Sequence, residues 1–223
     1  RSFDAVITGE EMGFTKCKSE PCVYVRNDAG GAIDAIIAIW VDDAVIAAKS
    51  ESSMKAIKAA LGKHFKYTDG GNLEYFLGIR VQRDTARMKL HLSQSGYIEK
   101  MLDTFGMTTA NTVATPQDPH AKLCSRAIDD TTPATGTAEN YRSLVGALLY
   151  AATTTRADIS HAVGELSRYM SDPSEAHMTA ALRVLRYLSG TRNHGITFSG
   201  SSLGDELTRG LPTTVRAYSD ADF

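Results

Sequence analysis

Two adjacent aspartates, Asp42 and Asp43, interrupt an otherwise unbroken apolar run from Ala35 to Ala48. Short arms rich in Ile and Val read as strands, and a polar pair between them reads as the bend of a hairpin. Side chains in a strand alternate faces, so neighbouring carboxylates can converge on one ion only where the chain turns. A hairpin tip meets that condition. Hard cations such as Mg²⁺ take oxygen ligands, and two ions about 4 Å apart can activate a hydroxyl and stabilise a leaving phosphate oxygen. The dipeptide alone favours a plainer reading, a polar turn in which aspartate bonds locally.

The neighbouring sequence extends the hairpin into a sheet. Cys22–Arg26, Ile33–Val41 and Ala44–Ala48 read as three antiparallel strands, with turn residues at 27–31 and at Asp42-Asp43. Met54, Ile57, Leu61 and Phe65 then recur at helical spacing behind Ser50 and Glu51, predicting an amphipathic helix over one face of that sheet. Tyr75–Arg83 and Met88–Leu92 read as a second hairpin turning over 84–87, and Ser93 as the cap of a helix that Gly106 stops. Residues 107–138 carry Pro116, Pro119 and Pro133 without a sustained period, which makes them the expected linker. Beyond them the pattern gives helices over 141–152, 159–170 and 177–188, then strands over Gly195–Ser199 and Val215–Ser219.

Composition removes several classes. With 24 Lys and Arg against 26 Asp and Glu the net charge is −2, so a nucleic-acid surface must be a local patch. Three cysteines, none in a C-x-x-C pair, encourage neither a zinc site nor a disulfide framework and suit a reducing interior. The apolar run before Asp42 is far shorter than a membrane span. Six histidines show no paired metal spacing on a helix face and read as surface or packing residues. The chain opens without Met or a signal peptide and reads as cut from something longer.

Nine segments resemble, in order, those of the reverse transcriptase of copia-type (Ty1/copia) retrotransposons: GFTKCKSEPCVYV, IWVDDAVIAA, LEYFLGIRV, LSQSGYIEKMLDTFGM, ATP, YRSLVGALLYAATTTRADI, LSRYMSDP, RVLRYLSGT and YSDADF. The resemblance implies an α+β architecture. Residues 1–106 would be the later part of the palm, with a primer-grip-like hairpin and helix; residues 107–138 would be a linker. Residues 139–200 would be a helical thumb or connection segment, and 214–223 the truncated first strand of an RNase H domain. It implies RNA-directed DNA polymerisation with two Mg²⁺ ions, Mn²⁺ being an alternative. The partners would be an RNA/DNA template-primer duplex and dNTPs, with no membrane. The setting would be the cytoplasm within a virus-like particle, with a nuclear phase.

Residue by residue, the family's two hairpin carboxylates map to Asp42, the firmer metal ligand, and Asp43, the accessory one. Trp40 stands where the family has Tyr, beside the incoming nucleotide and primer. Leu77, Gly78 and Ile79 resemble the turn that holds the primer end, although locally a bulged core strand fits them equally. Arg183 and Arg186 would meet duplex phosphates, although a solvated helix face is the simpler reading of their spacing. Asp220 maps to the first RNase H carboxylate, whose fellow ligands would lie downstream. Ala157 and Phe223 replace a Pro and a Trp of the family pattern. The third palm carboxylate would lie upstream of Arg1, so these residues alone are expected to be inactive as a polymerase. The competing reading is a catalytically dead remnant, or a domesticated module that binds nucleic acid or protein.

Overall fold

The computed structural model describes residues 2–125 and 137–199. Asp220 and the strand expected over Val215–Ser219 lie outside the described residues. The chain divides after Leu73, into Arg1–Leu73 and Glu74–Phe223, each with its own sheet and apolar core. The expected boundary at 107–138 is not where this division falls. The second hairpin and its helix join the later unit because Gly195–Ser199 pairs with that hairpin, and because Ile98, Met101 and Leu102 enter the helical core.

In the first unit α1 (Phe3–Ile7) is followed by a four-stranded antiparallel sheet. Its strands are β1 (Thr15–Lys16), β2 (Val23–Asn27), β3 (Ile33–Trp40) and β4 (Asp43–Ala48), in that order. Helix α2 (Glu51–Gly62) starts where Ser50 Oγ accepts the Ser53 amide. One sheet face carries Tyr24, Ala35, Ile37 and Ile46, which pack with Ile57 and Leu61 of α2 and with Val6 and Ile7 of α1. Asp34 ties these elements together: its Oδ2 accepts from Arg26 Nη2 at 2.6 Å, Arg26 Nε at 2.9 Å and Ser53 Oγ at 2.9 Å. The Arg26 guanidinium, with Ser53, holds the Asp34 carboxyl below its ordinary range.

In the second unit β5 (Tyr75–Phe76), β6 (Ile79–Asp84), β7 (Lys89–Ser93) and β8 (Gly195–Ser199) form another antiparallel sheet in that order. Tyr75–Arg83 is therefore two strands, folded at Leu77-Gly78. Helix α3 (Ser95–Thr104) begins after Gln94, and Ser93 ends β7 instead of capping the helix. Gly106, at φ 65°, closes α3 as expected: its amide donates to Asp103 O and the Met107 amide to Leu102 O. Helices α4 (Thr137–Thr154), α5 (Ser160–Ser167) and α6 (Glu175–Gly190) bury Tyr141, Leu144, Leu148, Val163, Leu166, Val184, Leu185 and Leu188 together. Burial pushes the Tyr141 hydroxyl up to about 12 while it donates to Leu166 O at 2.7 Å.

Gly195 shows why β8 begins where it does. A Cβ there would run into the backbone carbonyl of Leu92, on the strand it pairs with. Gly195→Ala should therefore separate β8 from β7 and cost about 1–3 kcal/mol, the usual penalty of overpacking. The check is urea denaturation with amide exchange over residues 196–199; unchanged protection there would refute it.

His177 gives the second unit a pH dependence. Its Nδ1 accepts the Ser174 amide at 2.9 Å in a capping box, its ring stacks on Tyr169 with centroids 4.0 Å apart, and its Nε2 faces Cys124 O at 3.1 Å. Burial lowers its pKa, against the opposing pull of Cys124 O and Asp172. The unfolded chain then binds the proton more readily, so stability is full above the ordinary histidine value near 6.5 and falls as pH drops below it. The slope from one such proton is at most about 1.4 kcal/mol per pH unit. His177→Gln, which keeps a capping-box residue, should flatten it; urea midpoints between pH 7.5 and 5 that fall equally in both proteins would refute the assignment.

Candidate active site

The apolar arms and their alternation decide where the acidic pair ends up. In the β3–β4 ladder Ile37 pairs with Ile46 on the helix-covered face, so Trp40 and Asp43, which pair with each other, share the opposite face. The bend is Val41-Asp42, one residue earlier than the sequence pattern indicates, and Asp43 is the first residue of β4. Val41 sits at φ 53°, a left-handed conformation that a β-branched residue adopts only under strain. The tip stands in solvent: Trp40 is 58% and Val41 84% exposed, and both aspartates are exposed. Neither carboxylate has a hydrogen bond or ion pair among the described residues.

The other aspartates before the hairpin are occupied. Asp4 accepts from Lys16 Nζ at 3.0 Å and Tyr24 OH at 2.8 Å. Asp28 accepts the Gly30 and Ala32 amides and pairs with Lys49, and Asp34 belongs to Arg26. Among the described residues no three His, Cys, Asp or Glu side chains cluster as a metal site. The donor set nevertheless suits Mg²⁺ chemically, because that ion is usually held by one or two carboxylates together with substrate phosphates and water.

In the second unit Leu77 and Gly78 form the two-residue turn between β5 and β6, with φ of 51° and 77°. Two positive values are what a type I′ hairpin turn requires, and this accounts for Gly78 without a bulge. Ile79 opens β6, opposite Phe76. The Leu77 carbonyl accepts from Tyr150 OH at 2.7 Å.

Arg183 and Arg186 are half-buried on α6, and neither stands on a freely solvated face. Arg183 Nη2 donates to Thr115 Oγ1 at 3.0 Å and Arg186 Nε to Asn111 O at 2.6 Å, so both hold the segment following α3. The spacing at 107–125 hid this, because an irregular segment has no period from which a partner can be read.

Two groups escaped the sequence reading. Arg156, with no exposed surface, donates to both Asp158 oxygens at 2.9 and 2.7 Å and to Thr191 O at 3.0 Å and Thr191 Oγ1 at 2.7 Å. Burial works against an ionised Asp158, yet the Arg156 fork and the Tyr187 hydroxyl outweigh it and keep its pKa low. A charged R-x-D inside an apolar helical stretch was the available signal. Tyr150 gave none, since its partner lies 73 residues away in sequence.

Comparison with known proteins places these residues in a lineage. The family model described as reverse transcriptase (RNA-dependent DNA polymerase) matches residues 4–119, just over half of the chain. The chain is 36% identical to the retrovirus-related Pol polyprotein from transposon TNT 1-94 of Nicotiana tabacum, over 94% of its own length and 15% of that protein. It is 37% identical to the corresponding polyprotein from transposon RE1 of Arabidopsis thaliana, over 95% of its own length and 13% of the relative. The putative transposon Ty5-1 protein of Saccharomyces cerevisiae is 34% identical over 88% of this chain and 62% of its own. The chain thus spans about a seventh of the plant polyproteins it matches. No solved structure matches it.

Proposed function

Because the chain belongs to the reverse transcriptase (RNA-dependent DNA polymerase) family of copia-type transposons, we propose that it supplies the metal-binding hairpin and the primer-end turn of an RNA-directed DNA polymerase. In that reaction the primer 3′-hydroxyl attacks the α-phosphate of a dNTP and pyrophosphate leaves. What two Mg²⁺ ions supply when bound is activation of that hydroxyl and neutralisation of charge on the phosphates. Asp42, at the corner of the turn, is the firmer ligand and Asp43 the accessory one. Trp40, across the ladder from Asp43, flanks the nucleotide and primer end. Leu77, Gly78 and Ile79 hold the primer backbone. Arg183, its buried Nε excepted, and Arg186 offer their remaining N–H groups to duplex phosphates, and Asp220 begins an RNase H site with its own Mg²⁺. The setting we assign is the cell interior, in a virus-like particle and then the nucleus.

The observation that carries this reading is the pair of adjacent carboxylates without partners among the described residues, at a strained, solvent-exposed turn. Strain of this kind persists where the surrounding structure over-determines it, commonly at functional turns. The test is primer extension by the polyprotein containing this chain, given an RNA template, a DNA primer, dNTPs and Mg²⁺. RNA-templated extension that stops when Mg²⁺ is chelated is expected. No extension by the wild-type polyprotein would overturn the reading. A second reading, duplex binding without catalysis, draws on the two-carboxylate set, since the described residues hold no third acidic partner for the pair. It predicts salt-dependent duplex binding by a polyprotein that extends no primer.

A further inference from the structure

The turn between β5 and β6 should not hold its shape by local sequence alone. Leu77, which has a Cβ, occupies the left-handed region at φ 51°, next to Gly78 at φ 77°. At a two-residue turn the first central carbonyl points away from the ladder and has no strand partner. Here a helix supplies one: Tyr150 of α4 donates its hydroxyl to Leu77 O at 2.7 Å. Tyr150 is itself steadied. The Tyr97 ring of α3 meets its ring edge-on, with centroids 5.0 Å apart, and Tyr97 OH donates to Ala147 O at 3.2 Å, one helical turn earlier on α4. The amides of Leu77 and Gly78 have no partner among the described residues. Two neighbouring unpaired backbone donors in a turn are suited to an anion. Leu77 is 38% and Tyr150 40% exposed, so the clamp lies at the surface where a nucleic-acid strand can reach it.

We propose that Tyr150 is a positioning residue that locks the Leu77-Gly78 turn so that its free amides receive a phosphate near the primer 3′ end. This rests on the reading of that turn as the primer-end contact. Tyr150 touches no substrate in this role; it acts through the Leu77 carbonyl. Its loss should move the terminal primer phosphates and leave the grip on the rest of the duplex nearly unchanged.

The experiment is hydroxyl-radical footprinting of a DNA primer annealed to an RNA template and bound by this chain, with duplex affinity and thermal melting measured in parallel. Wild type should protect the last few primer positions. Gly78→Val, which cannot adopt the turn without strain, should abolish that protection and so report on the reading itself. Tyr150→Phe, which removes only the hydroxyl, should weaken it about 2- to 10-fold, the usual worth of one hydrogen bond. Duplex affinity should stay within about two-fold and melting unchanged. If Gly78→Val alone loses the protection, Tyr150 is not the positioning residue and the turn keeps its role. If wild type shows no protection, or Gly78→Val keeps it, the reading of the turn falls and the proposal with it. If Tyr150→Phe loses protection only together with its melting transition, the bond is structural and the proposal is overturned.

Discussion

Primer extension by the polyprotein carrying Asp42→Asn should fall at least about 100-fold, with template-primer affinity of this chain almost unchanged. The size follows from what the substitution removes. Preorganised charge at the reacting phosphate is usually the largest catalytic contribution, and the loss of even one neutral donor from such a site costs about 10²–10³ in rate. Asparagine keeps the shape and the turn preference of aspartate but gives up the negative charge that, in the proposed role, would hold Mg²⁺. The exposed position keeps the effect from being one of folding: Asp42 has no side-chain partner among the described residues to lose, so stability should stay within about 0.5 kcal/mol. Asp43→Asn, at the proposed accessory ligand, should cost less than Asp42→Asn. Equal extension by wild type and Asp42→Asn would remove the carboxylate pair from the chemistry.

Arg156→Ala should destabilise the second unit by about 2–5 kcal/mol, as truncation of a large, fully buried side chain does, the ion pair with the exposed Asp158 adding only part of the loss. The substitution opens a cavity beside Asp158, which keeps only the Tyr187 hydroxyl, and leaves Thr191 O, at the end of α6, with the His194 amide as its one remaining donor among the described residues. Arg156→Lys should recover little, because an ammonium cannot meet both Asp158 oxygens and the Thr191 carbonyl with one planar fork. Arg168→Ala is the contrast: that arginine pairs at the surface with Glu165, three residues away, and should cost less than about 1 kcal/mol. Urea denaturation of the four proteins is the check; an Arg156→Ala loss no larger than that of Arg168→Ala would refute the account.

These two predictions also mark how far the sequence could be read. The β3–β4 hairpin was legible because its arms from Ala35 to Ala48 are apolar apart from two adjacent aspartates, so alternation and turn chemistry point to one arrangement. Helix α2 was legible from Met54, Ile57 and Leu61 behind Ser50, and β8 was placed to the residue. Two misplacements were local. The bend fell on Val41-Asp42 instead of Asp42-Asp43, since the ladder closes between Trp40 and Asp43 and forces a valine to positive φ. Leu77-Gly78 reads as strand in the sequence because a two-residue turn inside a run of large apolar residues leaves only a glycine as its mark.

What the linear chain determined by itself is whatever depends on neighbours within a few residues: hairpins, helix faces, caps, and the adjacency of Asp42 to Asp43. What only the tertiary structure decided are partners brought together across long separations. Tyr150 reaches Leu77, Arg186 reaches Asn111, Arg156 reaches Thr191, and β8 closes on β7. A hydrogen bond is set by distance and direction in space, and periodicity along the chain carries no record of either once the partners lie on different elements.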